Sequence, residues 1–169
     1  ISRLDIHTGD EIEELSDSIK TMEKEINDYI DHLTEVTAEK ERMGAELNIA
    51  KQIQASMLPC IFPAFPERKE FDIYASMDPA KEVGGDFYDF FLVDADHIAM
   101  LIADVSGKGV PAALFMVIAK TILKNSAQNG FSPKEVLENV NNQLCENNEA
   151  EMFVTVWLGI MQISTGKMH

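Results

Sequence analysis

Two short acidic motifs hold the side chains of this sequence that are best suited to chemistry. In the first motif, residues 84–89, two glycines precede Asp86, and Asp89 follows. In the second, residues 104–109, Asp104 ends an apolar run and leads through Val105 into a glycine-rich turn. Carboxylate and carbonyl oxygens are the ligands that Mg²⁺ and Mn²⁺ prefer. We expect Asp86, Asp104 and the Val105 carbonyl to bind metal. Asp89 is a weaker candidate, because such an aspartate equally often accepts a local hydrogen bond.

Bound divalent cations would give these motifs a hydrolytic chemistry. A pair of such ions acidifies a bound water and neutralises the charge that develops on a phosphoryl group during in-line attack. The motifs therefore predict phosphomonoester hydrolysis, with Asp86 and Asp104 as catalytic metal ligands. Each motif alone has an alternative interpretation as an ordinary turn. A nucleotide-binding loop is a further alternative, but residues 106–109 lack the spacing of a P-loop.

A β-hairpin is the element that would bring the two motifs together. Residues 87–93 and 97–103 have the composition of strands, and residues 94–96 (DAD) between them are typical of a turn. Since Asp86 precedes the first strand and Asp104 follows the second, antiparallel pairing places both carboxylates at one end of the hairpin. An apolar strand has no packing reason to end in a charge, which favours a functional interpretation.

Further elements complete an α+β pattern around the hairpin. Residues 71–76 alternate as another strand, and residues 153–163 read as a buried strand followed by a turn at 164–167. Pro111 begins a long apolar helix that ends near Gly130. Residues 132–135 (SPKE) form a capping box, which predicts the start of a second helix.

The first third of the chain predicts a long helical rod. Apolar residues recur there at alternating steps of three and four, a pattern called the seam below, and no proline occurs before Pro59. The seam residues are Leu15, Ile19, Met22, Ile26, Tyr29, Leu33 and Val36. After Lys40, the seam resumes its register with Met43, Leu47, Ala50 and Met57, with the polar Gln54 at the seam position between the last two. Such a repeat favours a parallel coiled-coil homodimer. A solvated helix packed on its own domain is the alternative.

The composition limits the classes of partner. There are 14 Lys and Arg against 29 Asp and Glu, a formal charge of -15, and such a surface repels phosphate backbones, so we expect no nucleic-acid partner. Cys60 and Cys145 lack the spacing of a disulfide framework or zinc site, which favours a cytoplasmic setting. No run approaches the roughly 18 apolar residues of a transmembrane helix. Without an initiator Met or signal peptide, the chain is expected to be cut from a longer protein.

Four strings, taken together, resemble one protein family. They are residues 47–59 (LNIAKQIQASMLP), 84–89 (GGDFYD), 104–113 (DVSGKGVPAA) and 152–155 (MFVT). In order and spacing they are similar to the SpoIIE-type serine/threonine protein phosphatases of the metal-dependent PPM class. The resemblance extends from Leu47 to the last residue.

This resemblance implies a fold, a site and a substrate class. The fold would be an αββα sandwich that holds two Mn²⁺ or Mg²⁺ ions: Asp104 would bridge them, the Val105 carbonyl would bind one, and Asp86 would hold the other directly or through water. The substrate would be a phosphorylated protein, in this family commonly a STAS-domain antagonist of an anti-sigma factor. Later aspartates of the family's metal cage are missing here. A catalytically inactive dimerisation and docking module is therefore the alternative.

The start of the rod has a resemblance of its own. Residues 7–15 (HTGDEIEEL) are similar to the beginning of the second helix of a HAMP domain, the dimeric relay that follows a transmembrane helix. This implies a membrane-anchored sensor as the parent, although a plain helix start capped by Thr8 or Asp10 explains the string equally. The predicted fold class is α+β, a long N-terminal coiled-coil helix followed by a partial αββα sandwich. Its parts are the stalk (1–57), a Pro-rich linker (58–70) and the incomplete phosphatase domain (71–169).

Overall fold

The structure, a computed structural model, describes residues 7–78, 83–130, 132–146 and 148–169. The chain divides into two compact units, a helical unit (Ile1–Glu46) and a globular unit (Leu47–His169). In chain order the described elements are α1 (Glu11–Ser56), β1 (Phe87–Leu92), β2 (His97–Val105), α2 (Val110–Gln128), α3 (Pro133–Cys145) and β3 (Val154–Gln162). The last turns of α1 therefore belong to the globular unit.

The helical unit consists of the greater part of α1. Asp10 caps the helix, because its Oδ1 accepts the Ile12 N–H at 3.1 Å and the Thr8 hydroxyl. The seam residues from Leu15 to Val36 are 45–62% exposed. The long helix is thus confirmed, and it runs without interruption past Lys40 and Gly44. The coiled-coil dimer stays a prediction.

The globular unit is built on a three-stranded antiparallel sheet in the order β1-β2-β3. The predicted hairpin is confirmed, with Phe87 opposite Ala103 and Leu92 opposite Ile98. β3 continues the sheet on the other side of β2 and matches the strand predicted for residues 153–163. The turn after β3 is also confirmed, because the Gln162 N–H donates to the Lys167 carbonyl at 2.7 Å.

The helices α2 and α3 cover one face of this sheet. α3 begins with the predicted capping box, in which the Ser132 side chain accepts the Glu135 N–H while the Glu135 side chain accepts the Ser132 N–H. By length and composition α2 could cross a membrane; here its apolar side packs on the sheet. The core between helices and sheet includes Phe87, Phe91, Leu101 and Val105 from the strands, and Ala112, Met116, Ala119, Leu123, Val136 and Val140 from the helices.

Residues 59–78 pack their aromatic side chains against β1 and against one another. Phe62 and Phe65 both contact the ring of Phe90, with centroids 5.9 and 6.1 Å apart. The prediction of a strand at 71–76 is wrong, because residues 71–78 form no ladder. Half-buried and exposed side chains do alternate there. The alternation in the sequence matches this one-sided burial: Phe71 packs on the ring of Phe65, and Met77 packs against the core.

Candidate metal centre

The hairpin register brings Asp86 and Asp104 side by side. Phe87 of β1 lies opposite Ala103 of β2, so Asp86 and Asp104 are the next residues outward on the two neighbouring strands. Side chains on a strand alternate between faces. Because Phe87 and Ala103 point into the core under the helices, the two carboxylates lie on the opposite face, where both are exposed.

Asp104 perturbs the neighbouring carboxyl group of Asp86. The pKa of Asp86 is raised, first by a hydrogen bond with Asp104, then by partial loss of solvent around the carboxyl, and then by the negative charge of Asp104. Two like charges this close disfavour full ionisation unless a proton or a cation lies between them. The site is therefore an electronegative pair of oxygen ligands, which suits a hard divalent cation.

Val105 and the first acidic motif are in direct contact. A Cβ atom placed on Gly85 would lie 2.8 Å from the Val105 Cβ and 2.9 Å from the Val105 carbonyl oxygen. It would also lie 3.3 Å from the Cβ of Ala112 in α2. Only glycine allows this approach, and it places the Val105 backbone beside the residue that precedes Asp86. The structure thus brings all three principal predicted ligands together at one end of the hairpin.

Asp89 does not join this group. Its side chain is buried on the helix side of the sheet and forms an ion pair with Lys120 of α2. Its Oδ1 also accepts the Phe90 N–H at 2.9 Å. Asp89 therefore fills the alternative role considered for it, a local hydrogen-bond and ion-pair acceptor. Because strand residues alternate, the spacing of three from Asp86 already places the two on opposite faces.

Two further residues lie beside the site that the sequence did not predict to take part in it. Thr155 lies opposite Asp104 in the β2–β3 register, and its hydroxyl donates to the Asp104 carbonyl at 3.3 Å. Gln54, near the end of α1, hydrogen-bonds to the backbone of Gly84. The available signal for Gln54 was its polar side chain at a seam position that favours an apolar residue. Thr155 lies in the family-like string at residues 152–155, but nothing in that string assigned it to the site.

The carboxylate pair opens onto a broad concave surface on the free face of the sheet. Its lining includes Tyr74, Met77, Asp86, Asp104, Thr155 and Trp157. Within the described ranges, no group of three or more His, Cys, Asp or Glu side chains could hold a metal ion. The described residues thus supply two carboxylates and a backbone carbonyl, which fit a divalent cation that keeps several water ligands.

The sequence is similar to a known protein family and to named relatives. Residues 94–169 match the family described as Stage II sporulation protein E (SpoIIE). The chain is 35% identical over 129 residues to "Phosphoserine phosphatase RsbU" of Bacillus subtilis, covering 76% of this chain and 37% of RsbU. It is 32% identical to "Protein IcfG" of Synechocystis sp., covering 73% of this chain and 23% of IcfG. The chain therefore spans well under half of the length of these relatives.

A solved structure supports the fold. The SiaA-PP2C domain of Pseudomonas aeruginosa superimposes with a TM-score of 0.56 at 24% identity, over 75% of this chain and 50% of that domain. The likeness agrees with the α+β arrangement of helices and strands in the globular unit.

Proposed function

This chain carries a phosphatase domain of the SpoIIE/PP2C family, and from that premise we propose that it is part of a metal-dependent phosphoserine/phosphothreonine protein phosphatase in bacterial signalling. The observation that carries the proposal is the pairing of Asp86 with Asp104 at the end of the β1–β2 hairpin, which the register of Phe87 opposite Ala103 sets. Two acidic side chains held together on an exposed face have a clear use as ligands of a cation.

The proposed chemistry assigns a task to each residue of the site. Asp86, Asp104 and the Val105 carbonyl would hold Mn²⁺ or Mg²⁺, two ions in the complete domain. Such ions supply an acidified water and neutralise charge on the phosphoryl group. The carboxylates would orient the cations, and the concave surface beside them would receive a phosphorylated side chain presented by another protein.

The proposed substrate is a phosphoprotein. RsbU is named a phosphoserine phosphatase, and its resemblance to this chain supports the same class of substrate here. A STAS-domain antagonist of an anti-sigma factor is the partner that the family resemblance suggests. The formal charge of -15 is consistent with a protein substrate rather than a nucleic acid.

We further propose that the stalk regulates this site as a dimer. The exposed seam of the helical unit fits a parallel coiled coil, since two such stripes bury each other. The HAMP-like start supports a membrane-anchored sensor as the parent, with this segment in the cytoplasm. Rotation of the stalk would then shift the phosphatase between two states. A charge at Ile26 is expected to uncouple signal from phosphatase output in the full-length protein.

A second candidate function is a catalytically inactive dimerisation and docking module. The observation that favours it is the small ligand set, because two neighbouring carboxylates without a third acidic partner in the described part of the chain form a sparse site for two cations. A module of this kind would bind partner proteins through the open face of the sheet without turning over phosphate.

One experiment separates the two candidates. The full-length protein and its Asp104→Asn variant are assayed for Mn²⁺-dependent release of phosphate from a phosphoserine protein. Activity that the substitution abolishes supports the phosphatase and the role of Asp104. If the protein is folded and binds Mn²⁺ but releases no phosphate, the phosphatase proposal fails and the docking module is favoured.

A further inference from the structure

The end of α1 holds the backbone of the first acidic motif through a single side chain. The Gln54 Nε2 donates to the Gly84 carbonyl at 2.8 Å, and the Gly84 N–H donates to the Gln54 Oε1 at 3.1 Å. Gln54 is only 6% exposed. One amide thus satisfies both backbone groups of a residue thirty positions away, in a partly buried setting where their loss would be costly.

The position of Gln54 on its helix explains why it faces inward. Within residues 47–56, all of which the structure describes, Leu47, Ala50 and Gln54 are the side chains withdrawn from solvent. These three are seam positions. In the last turns of α1, which belong to the globular unit, the seam positions are therefore withdrawn from solvent within that unit.

Gly84, whose backbone Gln54 holds, lies two positions before Asp86. Glycine has more backbone freedom to lose on folding than any other residue, so a pair of glycines does not by itself fix the direction of the aspartate that follows. Here each glycine is restrained by a different neighbour: Gly84 by Gln54, and Gly85 by the close approach of Val105 and Ala112. The motif is clamped between the end of α1 and the second acidic motif.

We propose that Gln54 is a positioning residue for Asp86: by fixing the Gly84 backbone, it holds the Asp86 carboxylate beside Asp104 in the geometry that binds a divalent cation. This rests on the proposed function for the identity of the bound group. The ordering of the motif by Gln54 does not depend on it. Partners that orient a metal ligand typically affect metal affinity by about 10–100-fold when they are removed.

The test compares the native chain with Gln54→Met, which keeps the side-chain length and removes both hydrogen bonds. Gln52→Met makes the same chemical change at an exposed position of the same helix. Val140 is a buried core residue of α3. Val140→Ala is therefore expected to lower the stability of the globular unit without touching the site, and it shows the effect of a purely structural defect. Thermal unfolding by circular dichroism confirms that each variant is folded.

Two measurements are made on each protein. Amide hydrogen exchange without metal reports the ordering of residues 84–86, and Mn²⁺-induced broadening of the Asp86 and Asp104 amide signals gives an apparent Kd. For Gln54→Met we expect exchange at Gly84 to rise about tenfold or more and the Mn²⁺ Kd to rise about tenfold or more. Gln52→Met and Val140→Ala should keep the native Mn²⁺ Kd.

Each outcome decides the proposal. Native exchange at residues 84–86 in Gln54→Met would overturn it, as would a Kd change equal to that of Val140→Ala. If the native chain itself shows no Mn²⁺ broadening, the metal site of the proposed function fails for this chain. The metal-free exchange data then still decide whether Gln54 orders the motif. If Gln54→Met does not fold, it is replaced by Gln54→Glu, which keeps an acceptor for the Gly84 N–H but loses the donor to the Gly84 carbonyl. We expect faster exchange at residues 84–86 than in the native chain, and native exchange there would overturn the proposal.

Discussion

The carboxyl groups of Asp86 and Asp104 meet across the first pair of antiparallel strands, on the sheet face turned away from α2 and α3. This contact between like charges is unfavourable at neutral pH without a counterion. It makes the stability of the globular unit depend on pH and on divalent cations in a predictable direction.

The first prediction concerns the pH dependence of stability without metal. The folded-state pKa of Asp86 lies above its ordinary value of 3.8, so the folded state binds its proton more tightly than the unfolded state. The resulting stabilisation is present below about pH 3.8 and is lost as the pH rises through the raised pKa. In EDTA, Asp104→Asn should therefore raise the melting temperature at pH 7 and change it less at pH 4.

The control for this prediction is Glu149→Gln, which removes one negative charge at an exposed position. It should leave the melting temperature close to native at both pH values. Addition of Mn²⁺ should stabilise the native chain more than Asp104→Asn. A melting temperature for Asp104→Asn at or below native at pH 7 in EDTA would contradict the repulsion between the two carboxylates.

The second prediction concerns the buried ion pair between Asp89 and Lys120. The side chain of Asp89 is 2% exposed and that of Lys120 12%. Asp89→Ala leaves a buried ammonium without its partner, which typically costs about 3–5 kcal/mol. The free energy of unfolding from urea titrations measures the loss.

Two control variants test whether the loss of stability comes from the buried ion pair. Glu138→Ala breaks the exposed pair with Lys134, whose atoms are 3.8 Å apart, and should cost no more than about 1 kcal/mol. The double variant Asp89→Leu/Lys120→Met removes both buried charges and should recover much of the lost stability. A loss below about 1 kcal/mol for Asp89→Ala would argue against the buried pair.

The third prediction concerns the close approach at Gly85. Gly85→Ala places a methyl group within 3.0 Å of the Val105 side chain and carbonyl, and overpacking of this kind typically costs about 1–3 kcal/mol. Because the displaced atoms include the Val105 carbonyl, the Mn²⁺ affinity should fall together with stability. Isothermal titration with Mn²⁺ and urea unfolding measure both.

Gly44→Ala is the matched control. A Cβ at Gly44 has open space within the helical unit, and replacing a glycine in a helix interior with alanine typically stabilises by about 0.5–1 kcal/mol. It should therefore leave the Mn²⁺ affinity unchanged and raise the helicity. Equal Mn²⁺ affinity for Gly85→Ala and the native chain would show that the Val105 backbone does not contribute to the site.

The fourth prediction concerns the seam of the helical unit. Ile26 is 52% exposed, and a glutamate there would place like charges against each other in a parallel dimer. We expect the native chain to sediment as a dimer and Ile26→Glu to shift it toward monomer. Asn27→Glu adds the same charge one position off the seam and should leave the dimer intact; a native chain that sediments as a monomer would rule out the coiled coil.

Much of the sheet and of the site could be predicted from local sequence. The β1–β2 hairpin, β3 and the capping box of α3 are specified by alternation, turn residues and backbone capping within a few positions of one another. Once the hairpin is expected, Asp86 and Asp104 must meet, since they flank the same pair of strands. The seam likewise predicts a long helix because its period repeats over many turns.

The sequence by itself therefore determined the local elements and the meeting of Asp86 with Asp104, whose causes lie within about twenty neighbouring residues. Tertiary structure alone decided the relationships between distant segments. Residues 71–78 keep the alternation of a strand but form no ladder. A ladder requires a neighbouring strand, and alternation within one segment does not specify which segment that is. Gln54 gains its role from Gly84, and Asp89 its ion pair from Lys120. Each depends on packing that brings together segments about thirty residues apart, where no local pattern records the contact.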